Sequence, residues 1–295
     1  LNWFRSNIER GLPSRNINTT CPYLTLLQIL DRIPEPEHSR YETMCIEQAE
    51  WLMHDLPKTT DGGFQHVTTG IGDRNGVILN EQQLWLDTLF MAVLFLQQMG
   101  IRCNRKDWRD EATHQVLLHI KYLYCKNNGL FYHGFSFIRN DNFGAIFWCR
   151  GNSWFTLGLT LFLEKADYLD GGTRQFIIDT FRTHAEALRS YQAEDGLFHT
   201  VIDDATSYEE ASGTAAMAAG LLRGMKAGIL DESYRVCADR AITALCDCVD
   251  TDGTVLKVSA GTAMGMNAEH YKGIGIRPMA YGQALTLIAL CEALQ

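Results

Sequence analysis

The sequence predicts an all-α protein built as a toroid, with a ring of inner helices inside a ring of outer ones. Three observations carry that prediction. Gly63-Phe64-Gln65-His66, Gly129-Leu130-Phe131-Tyr132-His133 and Gly196-Leu197-Phe198-His199 repeat a turn glycine, an aromatic and a histidine, with the histidines 67 and 66 residues apart. Each interval holds two helix-like segments, so every out-and-back pair returns the chain to the same end, and the histidine turns share one rim. A fourth turn, Asp252-Gly253, keeps the place of Asp195-Gly196 but lacks the histidine. The regular segments run to roughly ten to twenty residues, and period-2 alternation is nowhere sustained, which leaves little room for sheet. Finally, the segments are of two kinds. Some are apolar nearly all round and must be buried on all sides, whereas others carry a charged face.

In chain order, the spacing predicts helices over 2–10, 23–32, 40–55, 81–99, 107–126, 151–167, 173–193, 211–228, 231–249 and 278–294. Gly100 and Gly228 stop two of them. Leu84 to Leu96, Trp154 to Leu163, Ala215 to Leu222 and Ala284 to Leu290 are the apolar, inner stretches. Lys106 to Tyr124 and Asp231 to Val249 are outer ones with charged faces. The loops leading to inner helices, 67–80, 134–150, 200–210 and 254–277, are long and mix glycine, aromatic and polar residues. Long loops in a compact domain are usually functional.

With 295 residues, 46% of them hydrophobic, and only six prolines, the chain has material for a large core and no linker-like stretch. A single domain over 1–295 is expected. The formal charge of -9 and the lack of a Lys/Arg cluster argue against nucleic acid or an anionic membrane as partner. Nine scattered cysteines without a ligand-spaced cluster read as reduced thiols, with no metal and no cofactor expected. The longest apolar run, Leu89 to Leu96, is too short to cross a bilayer, and a cytoplasmic enzyme of a small substrate follows. The chain opens on Leu1 rather than methionine, which leaves room for a preceding segment. Nothing in the sequence sets the oligomer.

Three places could do chemistry. Asp87 is the only ionisable residue between Leu84 and Leu96, and a carboxylate in such a run is either a catalytic group or a satisfied structural one. The stretch from His133 to Trp154 mixes aromatic faces suited to sugar rings, Trp148 and Trp154 among them, with Asp141, Arg150 and Asn152. Both tryptophans are equally at home in a core. Arg150, entering an apolar helix, needs an anionic partner. The third place joins His199 and the acids up to Glu210, some of which are helix starts, to the loop Ser259 to Gly265. That loop is either a carboxylate cradle through Ser259, Thr262 and backbone amides or a plain glycine turn.

Taken in order, Gly63 to His66, Leu86-Asp87-Thr88-Leu89-Phe90-Met91, Trp148 to Trp154, Gly196 to Asp204, Ser207 to Thr214 and Ser259 to Gly265 resemble glycoside hydrolase family 105 over residues 60–290. The resemblance implies an (α/α)6 barrel and an unsaturated rhamnogalacturonyl or glucuronyl hydrolase. Such an enzyme hydrates the C4=C5 double bond that a polysaccharide lyase leaves on a terminal uronate, and thereby releases the neighbouring sugar. It also implies catalysis by Asp87 and a substrate rim of His66, His133, Trp148, Arg150, Asn152, Trp154, His199, Ser259 and Thr262. Arg150 or the Ser259–Thr262 loop would hold the uronate carboxylate. Family members often carry His-Gly-Trp-Asp where this chain has His133-Gly134-Phe135-Ser136. The missing acid points to Asp141 as acid/base, its pKa raised by Phe135, Phe143 and Trp148. A uronate lyase or epimerase on the same scaffold, and a sugar-binding toroid without catalysis, are the competing readings.

Overall fold

The structure, a computed structural model describing all 295 residues, follows the apolar spacing of the sequence. Its helices are α1 (Asn2–Glu9), α2 (Ile17–Ile29), α3 (Glu37–His54), α4 (Leu94–Arg102), α5 (Lys106–Leu123), α6 (Cys149–Glu164), α7 (Gly171–Tyr191), α8 (Ala211–Lys226), α9 (Arg235–Asp247), α10 (Ala268–Lys272) and α11 (Ala280–Ala293). Extended segments are short: β1 (Thr68–Gly70), β2 (Asp73–Ile78), β3 (Gln83–Trp85), β4 (Gly134–Ser136), β5 (Phe198–His199) and β6 (Glu209–Glu210). The all-α expectation holds, and no helix is long and apolar enough to cross a membrane.

Two departures from the expected elements matter. The helix expected over 81–99 is broken into β3, a wide π turn at Leu89–Val93 and α4. The Leu86 N–H bonds the His133 carbonyl at 2.9 Å instead of a helical partner, so Asp87 sits where extended chain turns into helix. The short helix α10 was not anticipated, because it lies inside the aperiodic loop 254–277.

The chain divides into two compact units, Leu1–Leu84 with Met91–Gln115 and Trp85–Phe90 with Val116–Gln295. In the first, Asn16 caps α2 through a reciprocal bond pair with Thr19, and α3 buries Tyr41, Cys45, Gln48, Ala49 and Leu52 on one face. β1 and β2 form an antiparallel hairpin.

The second unit contains both kinds of helix that the sequence predicts. In α6 and in α8, 14 of 16 residues are buried, and the two lie so close that a Cβ on Gly213 would meet Cys149 Sγ at 2.4 Å. By contrast, α7 buries Ile177, Phe181, His184, Ala185 and Leu188, and α9 buries Cys237, Ala238, Ala241, Ala244 and Leu245, each along one stripe. The expectation for α11 was full burial, and that is not met. Only Gly282, Leu285, Thr286 and Ala289 are buried, whereas Leu287 is 56% exposed, because α8 and α9 contact a single face.

The repeat also has a hydrogen-bond signature in this unit. Phe131 N–H donates to Asn152 Oδ1, Phe198 N–H to Thr214 Oγ1 and Val255 N–H to Gln283 Oε1, each acceptor standing on the helix that follows the turn. These bonds satisfy backbone donors that would otherwise be buried without a partner. The second turn is further locked by His184, whose Nδ1–H donates to the Gly129 carbonyl (3.0 Å) while Nε2 faces the Thr156 hydroxyl (2.9 Å). Burial pushes this imidazole from 6.5 down to about 4. The neutral ring is the native form, so its contribution is complete above pH 6.5 and fades as pH falls toward 4, by about 3 kcal/mol. Urea unfolding at pH 7.5 and 4.5 should show wild type losing about 3 kcal/mol more than His184→Gln across that interval. Equal pH slopes in the two proteins would remove His184 as the cause.

Candidate active site

Asp87 is held from two sides. Trp154, buried on α6, donates its Nε1–H to Asp87 Oδ1 at 3.1 Å, and His133 Nε2 stands 3.3 Å from Oδ2. The Asp87 side chain as a whole keeps 15% of its exposure. His133 is buried and walled by rings: Trp85 at 5.4 Å, Trp148 at 4.4 Å and Tyr271 at 5.6 Å between centroids. Its other nitrogen, Nδ1, lies 2.7 Å from the Tyr271 hydroxyl. This carboxyl, imidazole and phenol form one chain of polar contacts in an aromatic wall, an arrangement of groups suited to acid/base chemistry.

Beside it stands a second polar cluster. The Arg150 guanidinium is 3% exposed and spends both Nη groups on Ser212 Oγ, on the carbonyl and hydroxyl of Ser259, on the Ala260 carbonyl and on Thr262 Oγ1. The anionic partner demanded by its burial is Glu210, at 3.6 Å and fully buried. Glu210 also caps α8 through Gly213 N–H and accepts from Ser259 N–H, so it is the helix start for which the sequence argued. The Arg150 plane lies 4.6 Å from the Trp148 ring and 4.7 Å from that of Tyr281.

The geometry sorts the expected site residues. It brings together Asp87, His133, Trp148 and Trp154, and it ties Arg150 to Ser259 and Thr262. Trp148 is 1% exposed in a core cluster with Val201 and Tyr271, so it braces the site from behind. Asn152 is no sugar ligand: it is completely buried, and its amide is consumed by Phe131 N–H, the Phe131 carbonyl and the Trp148 carbonyl. Ser259 is likewise fully buried and engaged, which corrects its assignment as a carboxylate ligand. Arg150 itself, charge-compensated and saturated with acceptors, is the builder of the loop and not a free clamp. His66 belongs to the other unit, where it is buried with its backbone held by Gln83 and Asn80.

His199 lies elsewhere in the second unit. Its Nδ1–H donates to the Ser207 carbonyl at 2.7 Å, and it lines a cavity of about 510 Å³ with Tyr191, Asp195, Asp203 and Glu209. Burial raises the Asp203 carboxyl above its ordinary value.

The expectation for Asp141 is overturned. A backbone bridge to Ser136 folds the loop into a tight turn, and Arg139 grips the Asp141 carboxylate at 3.0 to 3.2 Å. Phe143 N–H donates to it as well. The Arg139 guanidinium first, and that N–H second, hold the carboxyl below its usual value, on a side chain 40% exposed. An acid meant to protonate carbon near neutral pH needs the opposite shift. Asp141→Asn should therefore leave kcat within about twofold of wild type, as surface substitutions away from the chemistry do. A collapse of turnover would restore Asp141 to the mechanism.

Sequence reasoning missed Tyr271 and undervalued Glu210. Tyr271 carries no motif of its own, and its link to His133 spans 138 residues of chain.

Comparison with known proteins settles the class. The model of Glycosyl Hydrolase Family 88 matches residues 1–295. The chain belongs to that family. It is similar to the unsaturated rhamnogalacturonyl hydrolase YesR of Bacillus subtilis, 32% identical over 99% of this chain and 81% of the relative. A solved structure described as a possible member of GH105 from Salmonella enterica is 36% identical, with a TM-score of 0.93 over 99% of this chain and 75% of that one. The unsaturated glucuronyl hydrolase of Bacillus sp. GL1, 21% identical with a TM-score of 0.71 over 98% of this chain and 77% of that one, shares the fold. The resemblance to family 105 is thus borne out, together with the (α/α)6-barrel class and glycoside hydrolase activity.

Proposed function

We propose that this glycoside hydrolase acts on unsaturated uronyl oligosaccharides, with Asp87 as the single carboxyl that moves protons. The observation that carries the reading is the Asp87 carboxyl itself, held by the Trp154 N–H, facing His133 at 3.3 Å and with 15% of its side chain exposed. In this scheme the substrate's enol ether takes a proton from Asp87 at C4, and positive charge develops at C5 and the ring oxygen. Water adds at C5 and returns a proton to Asp87. The resulting hemiketal opens, and the hemiacetal at C1 collapses to release the neighbouring sugar. One carboxyl serving first as acid and then as base suffices, in contrast to the paired carboxylates of displacement at an anomeric carbon. The names of the relatives in the rhamnogalacturonyl and glucuronyl classes support this substrate class.

The uronate carboxylate is received, on this reading, by the segment Ala260-Gly261-Thr262 that Arg150 builds. Gly261 has open space around its Cα, and Thr262 retains partial exposure. We also read residues 1–295 as one catalytic domain, supported by the unbroken family match, and the location as cytoplasmic, supported by nine free thiols. The charge of -9 supports a small oligosaccharide as partner over nucleic acid or membrane.

The test is an ultraviolet assay on a panel of lyase-generated unsaturated disaccharides. Loss of the double-bond absorbance with release of the second sugar is the expected result. Gain of absorbance from saturated polysaccharide would make the protein a lyase, and unchanged absorbance with altered stereochemistry an epimerase. Binding without turnover would leave a sugar-binding relic.

A further inference from the structure

Tyr271 is completely buried, and its place is fixed from several directions. Asn267 caps α10, Lys272 pairs with Asp204 at 2.6 Å, and the Tyr208 hydroxyl donates to the Tyr271 carbonyl. Gly144 lies so near that a Cβ there would meet the Met266 carbonyl at 2.5 Å. A phenol held this firmly puts its oxygen where the fold dictates, and that place is 2.7 Å from His133 Nδ1.

The direction of that bond decides what His133 offers Asp87. Gly265 N–H already donates to the phenolic oxygen at 3.1 Å. If His133 Nδ1–H donated as well, the phenol proton would be left with Met264 Sδ at 3.7 Å, a weak acceptor. In that arrangement the bare Nε2 lone pair would face Asp87 3.3 Å away and, whenever the carboxyl is in the ionised form that takes the proton from water, would set acceptor against acceptor. If the phenol donates to Nδ1, that conflict is removed: Nε2 carries the proton and faces Asp87 Oδ2 across the 3.3 Å charge contact. Burial, with the Asp87 charge adding to it, pushes the Tyr271 phenol well above its ordinary pKa, so it stays protonated and able to donate.

We propose that Tyr271 is a positioning residue for the reaction: its O–H donates to His133 Nδ1, fixes the Nε2–H tautomer and so orients the Asp87 carboxyl. This inference rests on Asp87 as the reacting carboxyl but concerns a bond that exists without substrate. The same hydroxyl also accepts from Gly265 N–H, a contact beyond the Ala260–Thr262 segment that Arg150 holds.

Nitrogen NMR of ring-labelled protein reads the tautomer directly, with the His133 signals assigned by their absence in His133→Asn. Wild type should show His133 protonated on Nε2, and Tyr271→Phe should lose that preference. With substrate, Tyr271→Phe should lower kcat by about 10- to 100-fold while KM changes less than about threefold, as expected when a group that orients a general acid is lost. An Nδ1–H tautomer in wild type overturns the proposal even if the variant fails to fold, and so does an unchanged tautomer in Tyr271→Phe. A correct tautomer shift in a protein inactive on every unsaturated disaccharide would instead count against the functional reading alone.

Discussion

Asp87→Asn should reduce kcat by roughly 10³-fold or more, the scale of a lost general acid and base, with the fold intact. The amide is nearly isosteric, and its oxygen can still accept the Trp154 Nε1–H that now reaches Oδ1 at 3.1 Å. What it cannot do is give a proton to carbon or take one from water. Thermal unfolding within a few degrees of wild type, together with near-zero loss of absorbance on substrates that wild type consumes, is the expected pair of results. Were Asp87 only a brace, the pattern would reverse: a lower melting temperature with kcat largely kept. The variant should also bind unsaturated disaccharide at close to the wild-type KM, since the proposed carboxylate-receiving loop is built by Arg150 and does not involve Asp87.

How much of this could be read from the chain follows from the range of the forces involved. Asp87 was legible because a lone carboxylate in a run of leucine, phenylalanine and valine is expensive wherever that run is buried. The turn repeat was legible because a glycine, an aromatic and a helix of fixed period are local signals. Its structural meaning, a turn N–H captured by Asn152, Thr214 or Gln283 on the next helix, needed coordinates. The demand of Arg150 for an anion was also foreseeable, but among several acids only the fold selects Glu210.

The failures have physical reasons as well. Asp141 looked like an acid in aromatic surroundings because composition does not reveal direction, and the tight turn aims its carboxylate at Arg139 two residues away. Tyr271 was invisible because its significance lies in one hydroxyl meeting one imidazole from a loop without periodicity. The expected all-round burial of α11 failed for a related reason. An apolar sequence states what a helix could bury, and neighbours decide what it does bury.

Removing Arg150 should cost more stability than removing any other single charge in the second unit. Its partner Glu210 is fully buried, and truncation to alanine strands a carboxylate in the core while releasing the acceptors at Ser212, Ser259, Ala260 and Thr262. Breaking a buried pair from one side typically costs about 3 to 5 kcal/mol, because the surviving charge loses its compensation. Urea unfolding of Arg150→Ala should show a loss of that size. Combining Arg150→Met with Glu210→Gln should recover part of it, since neither charge is then left alone. Arg150→Lys restores the charge but not the fork, so it should regain stability while keeping KM for the anionic substrate raised, the loop being held at fewer points. A loss below about 1 kcal/mol in Arg150→Ala would mean that the pair is solvated and that the loop holds itself. Near-normal KM in Arg150→Lys would separate the loop from recognition of the uronate, and the carboxylate would have to be received elsewhere on the Asp87 site.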